Sequence, residues 1–248
     1  MLSDIDRETY SWQINIPGFS EAVQETLKNS TALVSRVGGM GGSVALSLAA
    51  AGIGKIVLAH KGKLRQNDLN RQILMSSECL DKPRVLCAKD TLRRFNSNIE
   101  IITYDENVSY DNAHKLLNGV DIAFGCAPIF KERYSLNDYC IHQKIPLIDC
   151  SMYSMEGRVI SIKSGNTPCL RCIYPEEPLH WKRKFPVLGA VSSLVAQIGV
   201  LEGIKILTNF RKPSYGQMVC IDADNYKIEK ISLNSANQNC STCSYLIK

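Results

Sequence analysis

Ten cysteines in a chain of 248 residues make their spacing the first question. Four of them fall in two Cys-x-x-Cys pairs, Cys169/Cys172 and Cys240/Cys243. Thiolates spaced in this way let one tight loop offer two ligands to a tetrahedral Zn²⁺. The pairs stand far further apart than in a local zinc ribbon, so the fold has to bring two knuckles together. The rival readings are a redox Cys-x-x-Cys and two disulfides. No thioredoxin-like unit accompanies either pair, and a reducing compartment disfavours disulfides. A structural zinc site using all four thiolates is therefore expected, with no open position for catalysis. The other six thiols (Cys79, Cys87, Cys126, Cys140, Cys150 and Cys220) are scattered, several in apolar runs, and read as core filling.

The second feature able to do chemistry is Gly38-Gly39-Met40-Gly41-Gly42. A glycine-rich turn between a strand and a helix lets backbone N–H groups approach a phosphate at the positive end of the helix dipole. Tight packing of strand on helix needs the same glycines, so the turn alone leaves both readings open.

The elements around these features set their context. Thr31–Val37 reads as a strand, SVALSLAAAG as a helix stopped by Gly52, and KIVLAH (55–60) as a buried parallel strand. Together they form a βαβ unit. An amphipathic helix is expected over 20–30. Helices at 83–95, 112–118 and 131–143 then alternate with strands at 99–106, 120–127 and 145–152. Beyond 157–163 the pattern is strand-rich, with one long helix at 191–210 and an antiparallel hairpin at 217–233. The expected fold is α/β, a Rossmann-like, doubly wound, mostly parallel sheet with a C-terminal strand-rich continuation. We divide it into an opening segment and helix (1–30), a nucleotide-binding region (31–150) and a continuation carrying the cysteine knuckle (151–248), all one integrated domain.

Composition excludes several classes. Hydrophobic residues make up 45% and charged residues 21%, against disorder. No apolar run is expected to reach the roughly 20 residues that span a bilayer, and the N-terminus lacks the apolar core of a secretory signal. A cytoplasmic protein is expected. A net charge of +5 without clustering gives no reason to invoke nucleic acid. His114 and His142 read as surface or satisfied helix residues.

Several motifs stand in register: Asp68-Leu69-Asn70-Arg71-Gln72, Asp81-Lys82-Pro83-Arg84, Arg133-Tyr134-Ser135-Leu136-Asn137, Met155-Glu156-Gly157 and Glu202-Gly203-Ile204-Lys205. With the opening Tyr10-Ser11-Trp12-Gln13 and Ile16-Pro17-Gly18-Phe19, the chain from about residue 10 to 245 resembles the ubiquitin-like-protein activating superfamily, ThiF/MoeB/HesA. The resemblance implies binding of ATP and Mg²⁺ and adenylation of a carboxylate, usually at the C-terminus of a small carrier protein and sometimes of a peptide. It also implies a homodimer. Arg71 would be the catalytic cation that neutralises phosphate, Asn70 and Gln72 would shape the pocket, and Arg84 stands where the family carries a lysine.

The departures cluster in the nucleotide site. The family's first loop glycine falls on Arg36, its ribose-binding acid on His60 and another usual Asp on Gly62. Its Asp-Cys-Thr-Asp-Asn becomes Gly125-Cys126-Ala127-Pro128-Ile129, which offers Mg²⁺ no carboxylate. Trp12 stands for an arginine and Asp68 for an asparagine, while Arg36, His60, Lys61 and Lys63 add basic character near the turn. No cysteine lies in 173–190, where relatives form a thioester. The basic loop His180–Lys184 reads as solvated, or as a lid or partner contact in the family layout.

The sequence thus predicts a nucleotide or other phosphorylated ligand held by Gly38, Gly39, Gly41, Arg36, His60, Asn70, Arg71, Gln72 and Arg84, with Mg-ATP adenylation non-standard or lost. The substrate would be a carboxylate of a small protein, peptide or metabolite. The alternatives are a non-catalytic partner of an active homologue, and use of a phosphorylated cofactor such as NADP.

Overall fold

The computed structural model describes residues 1–179 and 185–246, so the basic loop His180–Lys184 lies outside the described residues. Five short apolar runs form parallel strands, as a sheet covered on both faces requires: β1 (Thr31–Ser35), β2 (Lys55–Ala59), β3 (Glu100–Tyr104), β4 (Ile122–Gly125) and β5 (Leu147–Tyr153). Three antiparallel strands extend one edge: β6 (Glu156–Ile162), β7 (Gln217–Asp222) and β8 (Lys227–Ser232). The sheet order is β3-β2-β1-β4-β5-β6-β7-β8. Its first five positions are those of a doubly wound nucleotide-binding sheet, and the expected α/β fold is observed.

Side chains alternate across the sheet with the two-residue period of a strand. Ala32 and Val34 face a core made with α4 (Gly39–Ala51), α5 (Arg84–Phe95) and α9 (Gly189–Thr208). Leu33 faces the opposite core, made with α6 (Ala113–Leu116), α7 (Phe130–Gln143) and α8 (Leu170–Ile173). The cysteine knuckle lies on this second face. Gly52 ends α4 in a left-handed conformation at φ 82°, as expected of a glycine C-cap.

Three features differ from expectation. The helices α1 (Asp4–Thr9) and α2 (Ser11–Ile14), which precede α3 (Glu21–Lys28), are too short to leave a 3.6-residue period. Their readable signal is the capping box of Ser3 with Asp6. The helix α4 begins at Gly39, so the glycines form its first turn rather than a loop before it. Close approach explains this: a Cβ on Gly41 would stand 1.9 Å from the Arg36 carbonyl oxygen.

Finally, α9 is 20 residues long with a mean hydropathy of 1.5, enough by length and composition to cross a membrane. Its Val191, Val195, Ala196 and Val200 are buried in the core instead, and its buried Glu202 accepts hydrogen bonds from Lys205 Nζ, the Ser214 backbone and Ser161 Oγ. A helix threaded in this way owes its apolar character to packing.

Candidate anion cleft and metal centre

Hydrogen-bond register sets Ser35, Ala59 and Gly125, the last residues of β1, β2 and β4, level with one another. The segments that follow these strands therefore open at one edge of the sheet. From there α4 covers one face and α7 the other. The gap between β1 and β4 is thus a topological switch point, the place where open α/β sheets bind ligands.

The helices that start at this edge share a property. Ser3 and Ser20 cap α1 and α3 with their side chains, whereas α4, α5, α7 and α9 have no side-chain N-cap hydrogen bond. In α4 and α9 this leaves the first N–H groups to an anion, whereas the Arg84 N–H that opens α5 already meets the Gly62 carbonyl at 3.1 Å. Moreover, α4 and α9 run side by side in the same direction, joined by Ser43–Ser193 and Ser47–Gln197 at 2.9 Å each. Their positive ends therefore coincide.

Arg71 lies against this double end. A Cβ built on Gly39 would stand 3.3 Å from both Arg71 Cγ and Ser192 Oγ, and one built on Gly38 would meet nothing within 4 Å. Gly38 thus faces open space, Gly39 packs against Arg71 and Ser192, and Gly41 packs against the Arg36 carbonyl. The guanidinium of Arg71 donates Nη1 to the Asn67 carbonyl at 2.7 Å and to Asn70 Oδ1 at 2.9 Å, and Nη2 to Asp68 Oδ1 at 3.1 Å. Arg84 donates Nη2 to the other oxygen of the same buried carboxylate at 2.6 Å. Asp68 therefore clamps the two expected phosphate-binding arginines together. Gln72 is buried, and neither its Oε1 nor Arg84 Nε has a hydrogen-bond partner among the described residues. Buried polar atoms are rarely left this way without a ligand or water to meet them.

Two further expected members of the pocket are buried. Arg36 adopts φ 72°, the left-handed conformation that suits the glycine it replaces, and its side chain is buried in a two-pronged ion pair with Glu132 in the first turn of α7. It adds no free positive charge to the mouth of the turn, because its partner neutralises it. The pair joins the segment after β1 to the helix after β4, across the switch point itself. His60, the residue that follows β2, is buried, while Lys61 and Lys63 are exposed.

Next along the edge, Asp149 is level with Gly125 and has both oxygens engaged by Arg133, at 3.0 and 2.6 Å. Burial opposes the charge of Arg133, but Asp149 outweighs it and raises the pKa. Cys126 and Cys150 are packed thiols: a hydrogen bond from one to the other, with burial, pushes Cys150 well above its ordinary value. Sequence reasoning missed Glu132 and the Arg133–Asp149 pairing, although Arg133 stands in one of the motifs.

The four knuckle sulfurs all lie within 4.8 Å of one another. Across the two loops Cys172 stands 3.4 Å from Cys243 and Cys169 3.6 Å from Cys240, against 4.0 Å within the Cys169/Cys172 pair. Four thiolates at about 2.3 Å from one tetrahedral ion stand about 3.8 Å apart, so the set fits such an ion. A disulfide within Cys169/Cys172 would have to close the longest of these three separations. Burial holds the Cys169 thiol up at about 12, and ligation by a cation would reverse that cost.

Comparison with known proteins agrees with this architecture. The heterocyst HesA protein of Trichormus variabilis is 42% identical, aligning over 98% of this chain and 90% of its own length. The adenylyltransferase and sulfurtransferase MOCS3 of Drosophila yakuba is 31% identical over 98% of this chain, which spans about half of that longer protein. Among solved structures, E. coli MccB with ATP superimposes with a TM-score of 0.84 at 24% identity, over 98% of this chain and 76% of that one. The motifs, the sheet order and a family match over residues 10–242 agree: the chain belongs to the ThiF family, whose relatives include HesA and MOCS3.

Proposed function

We propose that this chain is a divergent activating-type protein that holds the phosphates of a nucleotide, or of another phosphorylated ligand, over Gly38 and Gly39 beneath Arg71. It would act on a carboxylate of a small protein, a peptide or a metabolite. The observation that carries this reading is the pair of parallel, side-chain-uncapped helix ends converging on one guanidinium. In adenylyl transfer a carboxylate oxygen attacks the α-phosphorus and pyrophosphate leaves. Arg71 and the N-termini of α4 and α9 would take up the charge of that leaving group.

The phosphate half of the site fits this chemistry and the metal half does not. Gly125 through Pro128 carry no carboxylate, and Asp149 beside them is spent on Arg133. The ligand is therefore held without Mg²⁺, and metal-dependent ATP turnover is weak or lost. Isothermal titration with ATP, with and without Mg²⁺, then with NADP and coenzyme A, tests the reading. Binding indifferent to Mg²⁺ is expected. Robust Mg²⁺-dependent pyrophosphate exchange by the protein alone would overturn it.

The buried Arg36–Glu132 pair across the switch point favours a second reading, a non-catalytic partner of an active homologue. Absence of binding to every anion, with tight association to such a homologue, would decide for it. We infer further that the knuckle carries structural zinc at about one ion per chain. The protein is read as a cytoplasmic homodimer, consistent with exposed Trp12, Ile16 and Leu201 on the opening segment and α9. Light scattering at 27.6 kDa across micromolar concentrations would exclude the dimer.

A further inference from the structure

We propose that Asp138, in the middle of α7, is the latch that holds the two Cys-x-x-Cys loops in register for their metal. The proposal rests on the metal reading of the knuckle given above. Arg171 lies between Cys169 and Cys172, and its Nε donates to both oxygens of Asp138 at 3.0 Å. Thr242 lies between Cys240 and Cys243, and its Oγ1 donates to Asp138 Oδ1 at 2.9 Å. One carboxylate thus receives the central side chain of each loop, and the loops meet on α7 as well as through their sulfurs.

The surroundings fix that carboxylate in place. Asn137 Nδ2 donates to Asp138 Oδ1 at 2.9 Å, while Asn137 Oδ1 accepts the Leu170 backbone N–H at 2.9 Å. Tyr110 donates its hydroxyl to Asp138 Oδ2 at 2.9 Å and accepts from Arg171 Nη2 at 2.8 Å. The Arg171 guanidinium also lies 4.3 Å over the Tyr134 ring. The side chain of Asp138 is 15% exposed, so these charge-assisted bonds are largely shielded from water.

The physical role follows from what the metal must do without such a latch. Two loops distant in sequence would each need ordering before four sulfurs could close on one ion, and that ordering subtracts from affinity. Groups beyond the ligands commonly tune metal affinity by 10- to 100-fold. Here the group touches no sulfur and acts through the loop centres, so it is a positioning residue. Its signature is thermodynamic coupling between Arg171 and Thr242, which sit on different loops and share only this carboxylate.

The test uses the full chain loaded with Zn²⁺ and titrated with a competing chelator, together with Co²⁺-substituted protein read by its ligand-field absorption. Asp138→Ala is expected to weaken Zn²⁺ binding about 10- to 100-fold while the Co²⁺ band shape is kept, because the four ligands are unchanged. Asp138→Asn, which keeps the shape and loses the charge, should fall between it and the wild type. Thr242→Val should weaken binding severalfold in the wild-type background, less in Asp138→Asn, whose Oδ1 still accepts the Thr242 hydroxyl, and have no further effect in Asp138→Ala. A residue that merely stabilised the fold would leave the effect of Thr242→Val intact in every background, and that result overturns the latch. Zn²⁺ affinity unchanged in both Asp138 variants also overturns it. If Asp138→Ala does not fold, Asp138→Asn and Thr242→Val carry the same cycle. Wild-type protein that takes up neither Zn²⁺ nor Co²⁺ would instead refute the metal reading, and the latch with it.

Discussion

The cysteine knuckle and the anion cleft gather charge in opposite ways. At the knuckle four like groups stand within 4.8 Å of one another, with no cation among them in the described residues. At the cleft four arginines each arrive with a carboxylate already attached: Arg36 with Glu132, Arg71 and Arg84 with Asp68, Arg133 with Asp149. The first region would be completed by an ion from outside, as proposed above. The second is largely balanced from within, and what it offers a ligand is geometry: two helix ends and the spare donors of Arg71. A ligand set without internal partners can be read from spacing, whereas the field of an internally paired pocket cannot.

The comparison breaks most visibly if the knuckle survives loss of a ligand. Cys240→Ser should cost the metal and about 5 kcal/mol or more of stability, since metal binding there is coupled to folding. Metal analysis and denaturant unfolding check both. Next in size is the internal pairing. Asp149→Ala leaves Arg133 buried and uncompensated and should destabilise by about 3–5 kcal/mol in urea unfolding, with much of the loss recovered by adding Arg133→Met.

In the cleft, Arg71→Ala should raise the dissociation constant for ATP or pyrophosphate about 10- to 100-fold by calorimetry, the worth of one or two charge-assisted hydrogen bonds. Equal binding would show that the helix ends suffice. Asp68→Asn should act the other way and tighten pyrophosphate binding by about 3-fold at low salt, because it removes a competing carboxylate. Weaker binding would make Asp68 a scaffold and not a competitor.

The smallest effect belongs to a control outside both regions. Hydrogen bonds from Lys28 and then Ser3 lower the pKa of Asp6 from 3.8 to about 2. A depressed carboxylate stabilises the fold above its unfolded pKa and loses that contribution as pH falls through its folded one. The stability gap between wild type and Asp6→Asn should therefore be nearly full above about pH 4 and close only as pH falls below about 2. Metal and anion binding should not follow it.

Much of the fold was legible because its elements obey local rules. The parallel strands are apolar runs between turns, α5 and α7 have the expected limits to within a residue, and Gly52 caps α4. The cysteine pairs announced their meeting through spacing alone. What stayed hidden depends on partners remote in sequence. Glu132 is 96 residues from Arg36, so nothing local told a free cation from a paired one. Asp138 looked like any helix acid, and its hold on both loops exists only once residues 171 and 242 are folded against it. The start of α4 was misplaced because glycine is a poor helix former, and the close approach of Gly41 to Arg36 overrides that preference.

The rungs Ser43–Ser193 and Ser47–Gln197 have a consequence for the protein as a thermodynamic object. Helices held side by side with like ends together repel, and an anion at those ends relieves the repulsion. A ligand that binds only the folded state adds to its stability by mass action, about 2.7 kcal/mol when present at a hundred times its dissociation constant. The melting temperature of this protein is then a property of its solution as much as of its chain. On the proposed reading, phosphate or sulfate buffers would act as ligands, and a scan of melting temperature against anion concentration would report cleft affinity without any substrate in hand.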